Sequence, residues 1–314
     1  MWRGHRCPRD PGLASQFPAI CRLSSVATVT LASMSRSLLA IHAHPDDEAS
    51  KGAATVARYV DEGVRAVLVT ATGGEAGDVL NPEMDRHDVI ANLTQVRADE
   101  LAAAAEIIGF EKVTMLGYRD SGMPESDSNG HPEAFCHQPF DDVLGKLVGI
   151  VRNERPDVVL GYDAHEFYPH PDHLRVHELT MALVDAAADG SKFPDLGAPW
   201  QITKLYAPVF TTDRITALHQ AMLDTAGESP FELWIDRMGT FEDPERRVTK
   251  VDVTGFVELG REALRAHRTQ VDPAGFWFAV PTELVESVYP WEDFELLYSA
   301  VGWSEGESSL FDGM

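Results

Sequence analysis

The chain has 314 residues, enough for one large domain or two modest ones with a real core. Its hydrophobic fraction is 44% and its charged fraction 24%, which is ordinary for a soluble globular protein. A net charge of −24 argues against nucleic acid or an anionic membrane as partner, since both would be repelled. No apolar run approaches the ~20 residues that a spanning helix needs.

Residues 1–33 differ in character from the rest of the chain. They hold Arg3, Arg6, Arg9 and Arg22 against a single acid, Asp10. Such a composition can mark a targeting segment, but the apolar part over 26–32 is too short and too polar for a secretory core. The simpler reading takes Met34-Ser35-Arg36 as the natural start, with the upstream stretch an extension outside the fold. Cys7 and Cys21 lie in this stretch, which leaves Cys136 alone in the body. One body cysteine makes no internal disulfide and suits a reducing cytoplasm; a bland loop cysteine fits it better than a catalytic thiol.

From Ser37 the pattern is regular. The apolar run over 38–43 predicts a buried parallel strand, leading into Ala43-His44-Pro45-Asp46-Asp47-Glu48. A helix over 53–59 follows, closed by Asp61-Glu62-Gly63. A strand over 64–70 ends in the loop Thr72-Gly73-Gly74-Glu75-Ala76-Gly77-Asp78. Next come a helix over 94–108, stopped at Gly109, and a strand over 112–116. The helix over 140–153 carries Val143, Leu147 and Ile150 on one face. Pro156 announces a strand over 157–162. A second charged stretch, His170-Pro171-Asp172-His173, precedes a helix over 174–188.

This alternation predicts a Rossmann-like α/β fold with a mostly parallel sheet, right-handed crossovers and flanking helices. The strand ends near His44, Thr72, Gly117 and Asp163 then share the edge where such sheets bind ligands. Beyond about 190 the order weakens. A strand over 204–210, helices over 217–225 and 257–267, and an aromatic tail with the acidic pair Glu292-Asp293 read as a smaller α+β region. Residues 34–190 are thus expected to be the metal-binding catalytic core, and 191–314 a substrate-capping region.

His44 and Asp47 are three apart, and so are His170 and His173. Two histidines and one carboxylate hold a catalytic divalent metal while leaving positions open for water and substrate. His44, Asp47 and His173 would form such a set. Asp46, beside a ligand, could take a proton from bound water, whose pKa zinc lowers to about 7. A lone His-Pro-Asp is often only a turn with a capping carboxylate. Two such loops on one sheet edge favour a metal over surface histidines. The same ligand set also serves iron(II) oxygenases. The additional acid Asp46 suits hydrolysis, and an α/β pattern is not the usual oxygenase host.

The two charged stretches together resemble the PIG-L/LmbE family of zinc-dependent deacetylases and amidases. Further segments resemble the amidase branch that acts on mycothiol S-conjugates: Ser50-Lys51-Gly52-Ala53-Ala54-Thr55, Thr72-Gly73-Gly74-Glu75, Asp78-Val79-Leu80-Asn81-Pro82, Asp120-Ser121-Gly122 and Ala266-His267-Arg268-Thr269-Gln270-Val271-Asp272-Pro273. The resemblance runs from about residue 37 to the C-terminus. It implies zinc, with iron(II) the other candidate, held by His44, Asp47 and His173, and Asp46 as general base. It also implies a positively charged His170 on the oxyanion, helped by Tyr168, with Asp172 orienting the His170 ring. Lys51, Arg97 and Asp120 match substrate-binding positions, the latter two for a glucosaminyl-inositol. A solvated helix face is the plain alternative for Arg97, and a stray surface lysine for Lys51.

One segment departs from the family. Asp163-Ala164-His165-Glu166-Phe167 precedes Tyr168 where relatives carry Asn-Gly-Gly, and losing glycines stiffens a loop that could close over substrate. The implied activity is a cytoplasmic amidase that cuts a small thiol–sugar conjugate into glucosaminyl-inositol and a mercapturic acid. The rivals are an N-acetylglucosaminyl-inositol deacetylase and an inactive sugar-binding protein. The intact Asp46 and His170 argue against the last.

Overall fold

The structure, a computed structural model, describes residues 36–164, 168–238 and 245–314. The Arg-rich stretch over 1–33 lies outside the described residues, as do His165, Glu166 and Phe167 of the departing loop.

The first apolar run is strand β1 (Ser37–His42), and every residue in it is buried. Alternate side chains explain why the run is continuous. Leu38 and Ala40 enter one core cluster, while Leu39 and Ile41 enter the cluster on the opposite face of the sheet. In chain order there follow α1 (Asp47–Ser50), α2 (Ala53–Asp61), β2 (Arg65–Thr72), α3 (His87–Ile90), α4 (Leu93–Ile108), β3 (Lys112–Tyr118), α5 (Phe140–Glu154), β4 (Val158–Leu160) and α6 (Pro171–Ala188). The remainder is β5 (Lys204–Val209), α7 (Thr212–Ala226), α8 (Glu232–Met238), β6 (Val248–Asp252), α9 (Val257–Ala266), α10 (Thr282–Val288) and β7 (Trp291–Ser299).

Among the described residues the strands form one seven-stranded sheet in the order β3-β2-β1-β4-β5-β7-β6. The first five are parallel, and β7 pairs antiparallel with both β5 and β6. Val56, Leu101 and Leu264 of α2, α4 and α9 cover one face; Val143, Leu147, Leu179 and Leu183 of α5 and α6 cover the other. Each such buried aliphatic side chain contributes about 1.5–3 kcal/mol. A third cluster, with Ile215, Leu218, Val285 and Tyr289, joins α7 to α10.

The mostly parallel α/β architecture is as expected. Strands β6 and β7 were not legible beforehand. The division expected near residue 190 falls between β4 and β5, which pair directly from Val158↔Lys204 to Leu160↔Tyr206. Strand β7 hides behind its acids. Its Phe294 and Leu296 enter the core, while Glu292 accepts from the Thr55 amide at 2.9 Å and Asp293 bonds the Tyr289 hydroxyl at 3.0 Å.

Candidate metal centre

The two charged loops meet. His44 lies just past the end of β1, Asp47 opens α1, and His170 and His173 sit at the start of α6. Helix α6 begins at Pro171, inside the second charged stretch, because His170 is its N-cap and proline suits the first helical position. His44, Asp47, His170, Asp172 and His173 are all buried.

Three atoms form a nearly equilateral triangle. His44 Nδ1 lies 3.2 Å from His173 Nε2, and Asp47 Oδ2 lies 3.3 Å from the first and 3.4 Å from the second. Ligands about 2.0–2.1 Å from a tetrahedral zinc stand about 3.3–3.4 Å apart, so these donors fit a metal as they stand. Overlapping groups also bring candidate ligand atoms together: His44, His170 and His173, and again His44, Asp120, His170 and Asp172. The charge balance asks for a cation here. Burial opposes a charged His44 ring, yet Asp120, Asp172 and Asp47 outweigh it and push its pKa well above the ordinary histidine value. Burial holds His173 well below that value, which keeps its lone pair available.

The surroundings orient these groups. His44 Nε2 meets Asp172 Oδ2 at 3.1 Å, leaving Nδ1 for the triangle, in the carboxylate–histidine manner of metal sites. Asp47 Oδ1 accepts from Lys51 Nζ at 2.6 Å. Burial would raise the Asp47 carboxyl, but Lys51 and His173 override it and hold it well below the usual range. Tyr162 stacks on His173, with ring centroids 4.5 Å apart, and its hydroxyl accepts from the Ala43 amide at 2.9 Å.

Asp46 is not one of the three donors. It adopts φ 114°, ψ −24°, and although it occupies the N-cap of α1 its side chain caps nothing. Its Oδ2 instead accepts from Arg97 Nη2 at 2.9 Å. Burial raises the Asp46 carboxyl above its ordinary pKa, opposed by Arg97.

Two expected roles look different in place. The Asp172 carboxylate faces His44 and the Ser121 amide (3.0 Å), not the His170 ring; it is the Asp172 backbone amide that donates to His170 Nδ1, at 3.2 Å. Burial, aided by His44, lowers the His170 pKa to about 4, which opposes a positive charge on the ring. With Nδ1 accepting, its proton sits on Nε2, which can still donate a hydrogen bond. Tyr168 is half-exposed and stacked against His170, with centroids 6.2 Å apart.

The three residues matched to substrate binding are placed unevenly. Lys51 is on Asp47, as above. Arg97 is buried beneath the first loop, where it also donates to the Gly74 and Pro45 carbonyls. Gly74 has φ 67°, and a methyl group there would collide with the Arg97 guanidinium. Asp120 is buried too: its oxygens take the amides of Ala76 (3.1 Å) and Gly122 (2.8 Å), with His44 Nε2 at 3.6 Å. Cys136 is free and half-buried, its sulfur 3.6 Å from Asn129 Nδ2.

One pair was missed. Glu48 Oε2 accepts from the Asp46 amide at 3.0 Å, while Glu48 Oε1 meets His267 Nε2 at 2.5 Å, both side chains fully buried. The only signal was that both lie in segments carrying the family resemblance; their contact spans 219 residues of chain.

A Rossmann-like sheet that gathers histidines and carboxylates at its carboxyl edge defines an α/β enzyme with a candidate metal centre. Residues 39–184 match the PIG-L family model, GlcNAc-PI de-N-acetylase. The chain is 45% identical over 284 residues to mycothiol S-conjugate amidase of Streptomyces coelicolor, covering 88% of this chain and 97% of that one. It is 37% identical over 289 residues to 1D-myo-inositol 2-acetamido-2-deoxy-alpha-D-glucopyranoside deacetylase of Geodermatophilus obscurus, covering 89% and 98%. The chain therefore belongs to the PIG-L family of amidase and deacetylase hydrolases. In fold it is similar to N,N'-diacetylchitobiose deacetylase from Pyrococcus horikoshii, with a TM-score of 0.58, 21% identity and 84% of each chain covered. Among the described residues no helix is long and apolar enough to cross a membrane.

Proposed function

We propose that this chain is a metal-dependent amidase that cleaves mycothiol S-conjugates at the amide between glucosamine and the N-acetylcysteinyl group. The products are glucosaminyl-inositol and a mercapturic acid, and the lone body cysteine suits work in the cytoplasm. The observation that carries the chemistry is the triangle of His44 Nδ1, Asp47 Oδ2 and His173 Nε2 beside an uncoordinated acid. The substrate is supported by the 45% identity to the Streptomyces amidase.

In this reading His44, Asp47 and His173 hold a divalent ion, zinc or iron(II), and Lys51 and Asp172 fix two of them. Such an ion would supply Lewis acidity for the amide carbonyl and for water. Asp46 takes the proton from the attacking water and returns one to the leaving amine. Arg97 favours the ionised form of the Asp46 carboxyl and aims it. His170 donates from Nε2 to the developing oxyanion, and Tyr168 adds its hydroxyl at the open side. Arg97 and Asp120 shape the wall that meets the glucosaminyl-inositol, and residues 191–314 cap the substrate.

Two measurements test this. Metal analysis with turnover of Asp46→Ala separates an enzyme from a sugar-binding protein; full activity in that variant removes Asp46 as base. Turnover of a bimane-labelled mycothiol conjugate against the N-acetylated sugar separates amidase from deacetylase. Cleavage of the acetyl sugar alone would reverse the assignment.

A further inference from the structure

The strand order gives a bound amide two sides. Strands β1 and β4 lie beneath the metal centre. The loops after β2 and β3, with Gly74 and Asp120, flank one side, and β5, β7 and β6 lie on the other. At the carboxyl edge of that second side is a cavity of about 130 Å³. The turn Ser50-Lys51-Gly52 borders it, and Phe210, Trp277 and Trp291 contribute aromatic walls. Lys51 is common to the cavity and the centre: it borders the first, and its Nζ holds Asp47 Oδ1 at 2.6 Å.

Phe210 and Trp277 are 38% and 37% exposed, with ring centroids 6.2 Å apart. Large aromatics left half-open around a cleft that shares Lys51 with the candidate metal centre mark a binding surface. A closed cavity of roughly 150 Å³ holds a benzene ring, and this half-open one, at about 130 Å³, is of the size of a single six-membered ring. The acids in its lining are already engaged: Glu292 by the Thr55 amide, Asp293 by Thr211 and Tyr289. Arg214 and Arg261 also line the wall, the first with Cζ 5.5 Å from the Phe210 ring centroid.

We propose that this cavity receives the sulfur substituent of the conjugate and selects substituents carrying one aromatic ring. The proposal rests on the amidase reading, since the acyl group of a conjugate carries a sulfur substituent and an acetyl group does not.

The test is kinetics on three mycothiol conjugates that differ only at sulfur: S-methyl, S-benzyl and S-anthracenylmethyl. The S-benzyl conjugate is expected to exceed S-methyl in kcat/KM by at least about tenfold, chiefly through KM, from the added apolar burial. The three-ring substituent is expected to gain nothing further. Trp277→Ala is expected to bring the benzyl-to-methyl ratio toward one; both substrates are measured on one preparation, so partial unfolding cancels. Equal kcat/KM for all three conjugates, a continued rise with ring number, or an unmoved ratio in Trp277→Ala overturns the proposal and leaves the amidase reading intact. Cleavage of the N-acetylated sugar with none of the conjugates overturns both.

Discussion

At Asp46 the backbone and the side chain want different residues. A φ of 114° is a conformation that glycine adopts freely and L-residues adopt at a cost of about 1–3 kcal/mol. Asp46→Gly should therefore be more stable than Asp46→Ala by about 1 kcal/mol in urea unfolding, while both lose about 10²–10⁴ in kcat. Equal stability of the two would show that the backbone there is unstrained. What keeps the conformation is Glu48, which holds the Asp46 amide with one oxygen and His267 with the other. His267→Ala leaves a buried carboxylate without its cation and should cost about 3–5 kcal/mol by denaturant titration. At this scale the sequence was informative about ligands and poor about their partners. Spacing within a loop exposed His44, Asp47, His170 and His173, but nothing local could show that Asp172 faces His44 across 128 residues.

At the scale of elements, two side chains far from the chemistry tie α5 to its neighbours. Arg152 of α5 donates to the carbonyls of Ala186, Ala187, Asp189, Lys192 and Phe193, closing the C-terminal end of α6. Arg152→Ala should cost about 2–4 kcal/mol, because buried carbonyls lose their donor; a loss within about 0.5 kcal/mol would mean that water replaces it. Glu154, at the end of α5, bonds Arg65 of β2 at 2.6 Å and Lys112 of β3 at 2.7 Å. Burial opposes its charge, yet Lys112 and Arg65 lower its pKa to about 2. The folded pKa thus lies below the unfolded value of about 4.3, so its contribution is present above that value and fades as pH falls toward about 2. The stability gap between the natural protein and Glu154→Gln should accordingly shrink between about pH 5 and about pH 2 in paired urea titrations. Elements whose apolar residues fall in a regular pattern, β1, β2, β4 and α5 among them, could be read beforehand. Strands β6 and β7 could not, since Lys250, Asp252, Glu292, Asp293 and Glu295 make them look like surface loop until their cross-strand partners are known.

For the whole molecule, the continuous sheet sets the cooperativity. Because β4 and β5 pair directly, the described residues on either side of position 190 should unfold together, in one calorimetric transition. Two resolved transitions would show separate folding units. Chelation should lower the midpoint of that transition and abolish turnover, with both restored by added zinc; at a free ion concentration of about 1,000 Kd the stabilisation is about 4 kcal/mol.

Strand β5 has one further consequence. It passes hydrogen bonds to β4, beneath the metal centre, and to β7, beneath the aromatic cavity. A mercapturic acid held only by Phe210 and Trp277 should then slow amide hydrogen exchange in β4 as well, although it touches no residue there. The sheet turns grip at one end into quietness at the other, so a well-fitting substituent steadies the very strands from which His44 and the His170 loop emerge.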